Sequence, residues 1–160
     1  MIVYSLSKEK YCKDLSEYRG SGARLYGGRW NPKGVSLLYT AESRALAAME
    51  LAVRLDVSDL PEDLVLVVLE VARGRKKDLI TEIKNEDLPG DWDCYPNKLS
   101  SQRIGEKFVN EGKYLAIKVP SVSIKGDFNY LINPFHVEFN KYVKIITVEL
   151  FSYEPRLRKP

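Results

Sequence analysis

The 160-residue sequence contains a single histidine, His136, and two cysteines, Cys12 and Cys94. Two cysteines make no disulfide framework and cannot complete a four-ligand zinc site, and one histidine excludes a histidine-based metal centre. No apolar run approaches the ~20 residues that span a bilayer. The opening MIVYSL lacks the basic flank, apolar core and cleavage site of a secretory signal. A cytoplasmic protein without membrane contact is therefore expected. Charge of one sign is scarce as well: 25 Lys and Arg against 22 Asp and Glu leave +3, far from the dense basic footprint of a nucleic-acid binder. The sequence has no GxxxxGK[ST] phosphate loop. Gly20-Ser-Gly22 begins like a dinucleotide fingerprint, but Leu25 fills the slot of the third glycine. The surrounding pattern predicts neither a strand leading in nor a helix following.

What is present is ordinary globular composition, 44% hydrophobic and 29% charged. The length suits one domain that buries roughly two-thirds of its unfolded surface. Residues 2–6 read as an edge strand, 7–22 as a polar loop and 35–39 as a second strand. A helix is expected over 43–56, with its apolar stripe on Ala45, Met49, Ala52 and Val53. Pro61 lies in the break that follows, and the nearly continuous apolar run 64–72 reads as a strand buried on both faces. A loop over 76–96 precedes a helix that Ser100 or Ser101 caps and Gly112 ends, with Ile104, Phe108 and Val109 inward. Strands over 114–119 and 144–153 enclose a mostly looped 121–142, and the tail reads as frayed. Strands outnumber helices without regular alternation, which favours an α+β domain over a doubly wound sheet.

Candidate chemistry concentrates in residues 22–34, GARLYGGRWNPKG. Glycines admit close backbone approach to a ligand, arginine forks match phosphate oxygens, and aromatic rings stack on flat heterocycles. Composition leaves two readings open, a ligand cradle or a surface hairpin with a packed Trp30. Tyr39 follows Arg29 by ten residues, and Glu50 follows eleven later, beside the expected stripe of its helix. An i,i+4 pair between Glu50 and Arg54 is the bland alternative. His136 reads as a hydrogen-bonded structural histidine, and Asp91 and Asp93 as a solvated turn around a buried Trp92.

The run GARLYGGRWNPKGVSLLYTAESRALAAMEL, followed in order by LPGDWDCYP, IGEKF, VPSVS and NYLINPFH, strongly resembles the RES domain, named for its Arg, Glu and Ser. The resemblance covers nearly the whole chain, with the domain over 1–153 and a basic tail over 154–160. It implies a fold similar to ADP-ribosyltransferases: one domain, split mixed and antiparallel sheets, and a central NAD cleft. It further implies a bacterial toxin that uses NAD+ as substrate and cleaves the nicotinamide–ribose bond by phosphorolysis, with inorganic phosphate as co-substrate, or by hydrolysis. Transfer of ADP-ribose to a protein and a catalytically silent partner-binding domain are the alternatives. A nuclease acting without NAD draws little support from the +3 balance. The implied partner is an Xre-type helix-turn-helix antitoxin, and no direct nucleic-acid contact is expected. Carried over by motif, the catalytic residues are Arg29, Tyr39, Glu50 and Ser121. The NAD-binding residues are Arg24, Gly28, Arg29, Trp30, Tyr39 and Asn133. One departure falls in the first strand, where this chain reads Tyr4-Ser5 and many members read Tyr-Arg. Arg24 is the substitute that the sequence offers.

Overall fold

The computed structural model describes residues 1–55, 61–72 and 79–157. The last residue of the helix expected over 43–56, part of the following break, the first residues of the loop expected over 76–96, and 158–160 of the tail lie outside the described residues.

Seven strands form one mixed sheet in the order β4-β5-β6-β2-β1-β3-β7. They are β1 Ile2–Lys8, β2 Leu38–Ala41, β3 Leu64–Val71, β4 Ile80–Glu82, β5 Ala116–Pro120, β6 Phe128–Ile132 and β7 Val143–Leu150. Every neighbouring pair is antiparallel except β4 with β5. The helices are α1 Ser21–Tyr26, α2 Arg44–Ala52, α3 Leu99–Glu111 and α4 Phe139–Tyr142. This is the expected α+β domain. The strands form one sheet where split sheets were expected: β1 pairs with β3 from Ile2 to Lys8 and meets β2 at a single register pair, Tyr4 with Ala41.

β3 shows why both faces of the sheet are covered. Val65 and Val67 point into a core with Val3, Leu38, Ile132, Phe139 and Val143, while Leu66 and Val68 meet Ala41, Leu46 and Ala47 of the opposite layer. Strand alternation sends successive side chains to opposite faces, so a nearly continuous apolar run is what a doubly covered strand requires. α3 closes a third cluster of Trp30, Leu37, Phe108, Ile117, Val119 and Leu131. Gly105 permits that docking: a Cβ there would lie 1.7 Å from the Trp30 carbonyl oxygen. No helix among the described residues is long and apolar enough to cross a membrane.

The structure corrects several expectations. β1 is interior, between β2 and β3; its alternating serines imitate the half-wet pattern of an edge. The short helix α1 begins inside Gly20-Ser-Gly22, where no helix was expected, although no strand leads into it. β4 and β6 lie in the spans 76–96 and 121–142 read as loops, because strands of three and five residues give too short a period to register. Ser100 and Ser101 sit inside α3 rather than capping it, and Lys98 takes the cap position without a side-chain bond.

The helix α2 begins as expected, with the Ser43 hydroxyl accepting from the Leu46 N–H at 3.0 Å. Its face differs from the expected stripe. Leu46 and Ala47 are buried, while Ala45, Met49 and Val53 are exposed. The helix is apolar on nearly every side, so periodicity alone selects no face; packing of Leu46 against Ala41, Leu66 and Val68 does. This rotation turns Glu50 inward.

Candidate active site

Where β1 and β2 part, a small cleft of about 70 Å³ opens to solvent. Tyr4 and Ser5 of β1, Tyr39 and Ala41 of β2, Glu50 of α2, Arg54 just beyond it, and Asn129 of β6 line it.

Glu50 is its centre. One carboxylate oxygen, Oε1, accepts from the Ser121 hydroxyl at 2.8 Å and from the Asn129 side-chain amide at 2.6 Å. The other oxygen accepts nothing among the described residues. Both donors are neutral, so they orient the carboxylate without cancelling its charge. Ser121 is itself fixed: it is 4% exposed, its N–H donates to the Asp127 carbonyl, and its hydroxyl accepts from the Ile124 N–H at 3.1 Å. It does not line the cleft; its hydroxyl meets the cleft through its bond to Glu50. The pair between Glu50 and Arg54 is not formed. The Arg54 guanidinium instead lies over the Tyr39 ring, 5.1 Å from its centroid.

Tyr39 presents its ring to the cleft and spends its hydroxyl on the glycine-rich loop. The hydroxyl accepts from the Trp30 N–H at 3.0 Å and donates to Asn31 Oδ1 at 2.7 Å. Gly28 makes room, since a Cβ there would come within 2.6 Å of that hydroxyl. Asn31, fully buried, shares its side-chain N–H groups among the carbonyls of Ala23, Pro32 and Val35. One asparagine thus holds α1, the loop and β2 in register.

Burial raises the Tyr39 phenol to about 12, with the Trp30 N–H and then the Arg54 and Arg29 charges pulling the other way. Tyr39 is therefore neutral at pH 7 and lines the cleft with its ring. The stabilisation from keeping it neutral is complete below the ordinary phenol value of about 10 and is lost as pH rises from there to about 12. Burial shifts Tyr18 and Tyr153 in the same direction. Tyr39→Phe should cost about 1–3 kcal/mol at neutral pH, because the Trp30 N–H and Asn31 Oδ1 both lose their partner. It should also flatten part of the alkaline loss; thermal melts at neutral pH and across the alkaline range measure both effects.

Arg29 stands outside the cleft lining. Its Nη1 donates to the carbonyls of Trp92, at 2.7 Å, and Cys94, at 3.0 Å. Burial lowers its guanidinium from the ordinary value, opposed first by the charge of Glu50 and then by that of Asp93. An arginine remains charged at neutral pH regardless, so it contributes positive potential beside Glu50. Trp30 is 3% exposed and stacks on Trp92, centroids 5.7 Å apart. Its ring is part of the core and offers no face to a ligand, contrary to the role expected for it. Arg24 lies exposed on α1, away from the cleft lining. Asn133 is also placed elsewhere: it is buried, with its amide donating to the Val109 carbonyl and its Oδ1 accepting from the Phe135 N–H. His136 accepts from the Glu138 N–H at 3.1 Å, a turn-forming histidine. Asn129, Asn31 and Arg54 were not singled out as site residues from the sequence. Asn129 shares a face with buried Leu131 by strand alternation, a polar residue on a covered face, but that signal exists only once β6 is recognised.

The α+β sheet thus parts around a carboxylate that two neutral donors orient, the geometry of a candidate enzyme site. The RES domain family model matches residues 2–154, and the chain belongs to that family. Toxin Res of Photorhabdus laumondii is 30% identical over 99% of this chain and 98% of its own length. Toxin Res of Yersinia enterocolitica is 29% identical, covering 99% and 100%. A Prs ADP-ribosylating toxin of Sphingobium is 34% identical over 90% of this chain and 88% of its own. In fold, the chain is similar to one from the M. tuberculosis MbcT-MbcA toxin-antitoxin complex, with TM-score 0.69 and 16% identity, covering 98% of this chain and 85% of that one.

Proposed function

We infer that this protein is a toxin that breaks the nicotinamide–ribose bond of NAD+. The observation that carries the reading is the Glu50 carboxylate, held at the cleft wall by two neutral donors on one oxygen. NAD+ is a glycoside whose leaving group is already cationic, so departure needs no proton donor. One carboxylate can then replace the pair that ordinary glycosidases use. The C1′–N bond breaks, its electron pair goes to the pyridinium nitrogen, and neutral nicotinamide leaves. Positive charge develops on the ribose, where Glu50 stabilises it. An oxygen of phosphate or of water then bonds to C1′, water giving up a proton. Tyr39 packs against the ring being expelled, and Arg29 adds positive potential for the phosphate-bearing part.

A protein acceptor is the second reading, favoured by the name of the Sphingobium relative, since ADP-ribosylation breaks the same bond. A toxin of this kind must be restrained in its own cell, and the fold is shared with a chain of a toxin-antitoxin complex. A protein antitoxin, of Xre type, is accordingly the partner proposed, and the cytoplasm the site of action. Incubation with NAD+, with and without phosphate or a cell extract, separates the acceptors by product mass. Expression of the chain alone should arrest growth, with the antitoxin relieving it. Harmless accumulation at high level, with no nicotinamide formed, would contradict the reading.

A further inference from the structure

The proposed substrate carries two charged regions, a pyridinium riboside and a pyrophosphate, and Glu50 answers only the first. The positive side chain lining the cleft, among the described residues, is Arg54. Its place is defined by the Tyr39 ring beneath it, 5.1 Å away. The guanidinium makes no hydrogen bond or ion pair among the described residues, so its N–H groups are available to oxygen atoms. Helical spacing would let Arg54 pair with Glu50 four residues earlier, yet the Glu50 bonds come from Ser121 and Asn129. The two charges therefore stand separately on one wall. Arg29 has its Nη1 committed to two carbonyls, and Ser5, at the position where the resemblance implies an arginine, is turned to the buried Tyr18 phenol.

We propose that Arg54 binds a phosphate oxyanion in the cleft, and so is a substrate-binding residue. This rests on the NAD+ reading for the identity of the substrate, while the chemistry recognised is the phosphate group itself. That group is either the pyrophosphate of the dinucleotide or incoming inorganic phosphate.

The test uses the full chain beside Arg54→Gln and Arg54→Lys. Nicotinamide release is followed against NAD+ and against inorganic phosphate, and binding of inorganic pyrophosphate is measured by calorimetry. Arg54→Gln should raise KM for NAD+ at least ~10-fold, the loss falling on KM more than on kcat because the contact exists before the bond breaks. Arg54→Lys should recover part of it, as a point charge without the fork. A shift in the phosphate dependence with KM for NAD+ unmoved would assign the oxyanion to the co-substrate. Pyrophosphate should bind the Gln variant at least ~10-fold more weakly. Unchanged KM values together with unchanged pyrophosphate binding would overturn the proposal, whatever happens to the melting temperature. A parent chain that releases no nicotinamide would remove the NAD+ reading, and the pyrophosphate arm would still decide the role of Arg54.

Discussion

Glu50→Gln should lower nicotinamide release at least ~10²-fold while leaving the fold intact. The substitution keeps size and shape. A glutamine carbonyl can still accept from the Ser121 hydroxyl and the Asn129 amide, the two bonds that orient the native carboxylate. What disappears is a full negative charge where positive charge develops on the ribose. The ground-state ribose carries little of that charge, so the loss belongs to turnover more than to substrate affinity. A melting temperature close to the parent's would separate this loss from unfolding. The opposite pattern, intact turnover with weakened binding, would make Glu50 an anchor for the substrate and remove its part in bond cleavage.

Asn31→Asp should produce the largest loss of stability. The side chain is fully buried, and its amide nitrogen faces the carbonyls of Ala23, Pro32 and Val35, while its oxygen accepts from Tyr39. The isosteric replacement leaves no cavity. It substitutes a donor by a charged oxygen aimed at three carbonyl oxygens, with no cation among its native partners. An uncompensated buried charge of this kind costs about 3–5 kcal/mol, which corresponds to a melting temperature lower by on the order of 10 °C for a domain this size. The sign of its pH dependence follows. Burial raises the pKa of the introduced carboxyl above its unfolded value of about 4, so the deficit should shrink as pH falls towards that value. Melts of both proteins at neutral and mildly acidic pH measure this. Equal stability would mean that the glycine-rich segment is held by its backbone alone.

The parts of the fold legible in sequence are those with long or doubled signals. Residues 64–72 are apolar except for Glu70, a pattern suited to a strand covered on both faces, and β3 is that strand. Ser43 announces α2 because its hydroxyl has a backbone N–H to satisfy. The orientation of α2 was hidden for the converse reason. Ala45, Leu46, Ala47, Met49, Leu51 and Val53 surround the helix, and only the seat for Leu46 in the opposite layer decides which side turns in.

Within the cleft, the resemblance singled out Glu50 and Ser121, which the structure brings within hydrogen-bond distance across 71 positions. Asn129 stayed hidden because β6 is five residues long and flanked by turns. Arg54 was readable only as the partner of Glu50 four residues away, since spacing along a helix says nothing of an aromatic ring arriving from β2. Trp30 illustrates the reverse error. An aromatic beside arginine and glycines reads as a ligand platform, whereas its ring fills the core under α3.

The most direct test of the central claim is the rate at which purified protein releases nicotinamide from NAD+, with Glu50→Gln measured beside it under identical conditions. The account expects sustained release by the parent chain and at least ~10²-fold slower release by a variant that melts with it. Release by Glu50→Gln at the parental rate, or none by the folded parent, would contradict the assignment of this carboxylate as the centre of the reaction.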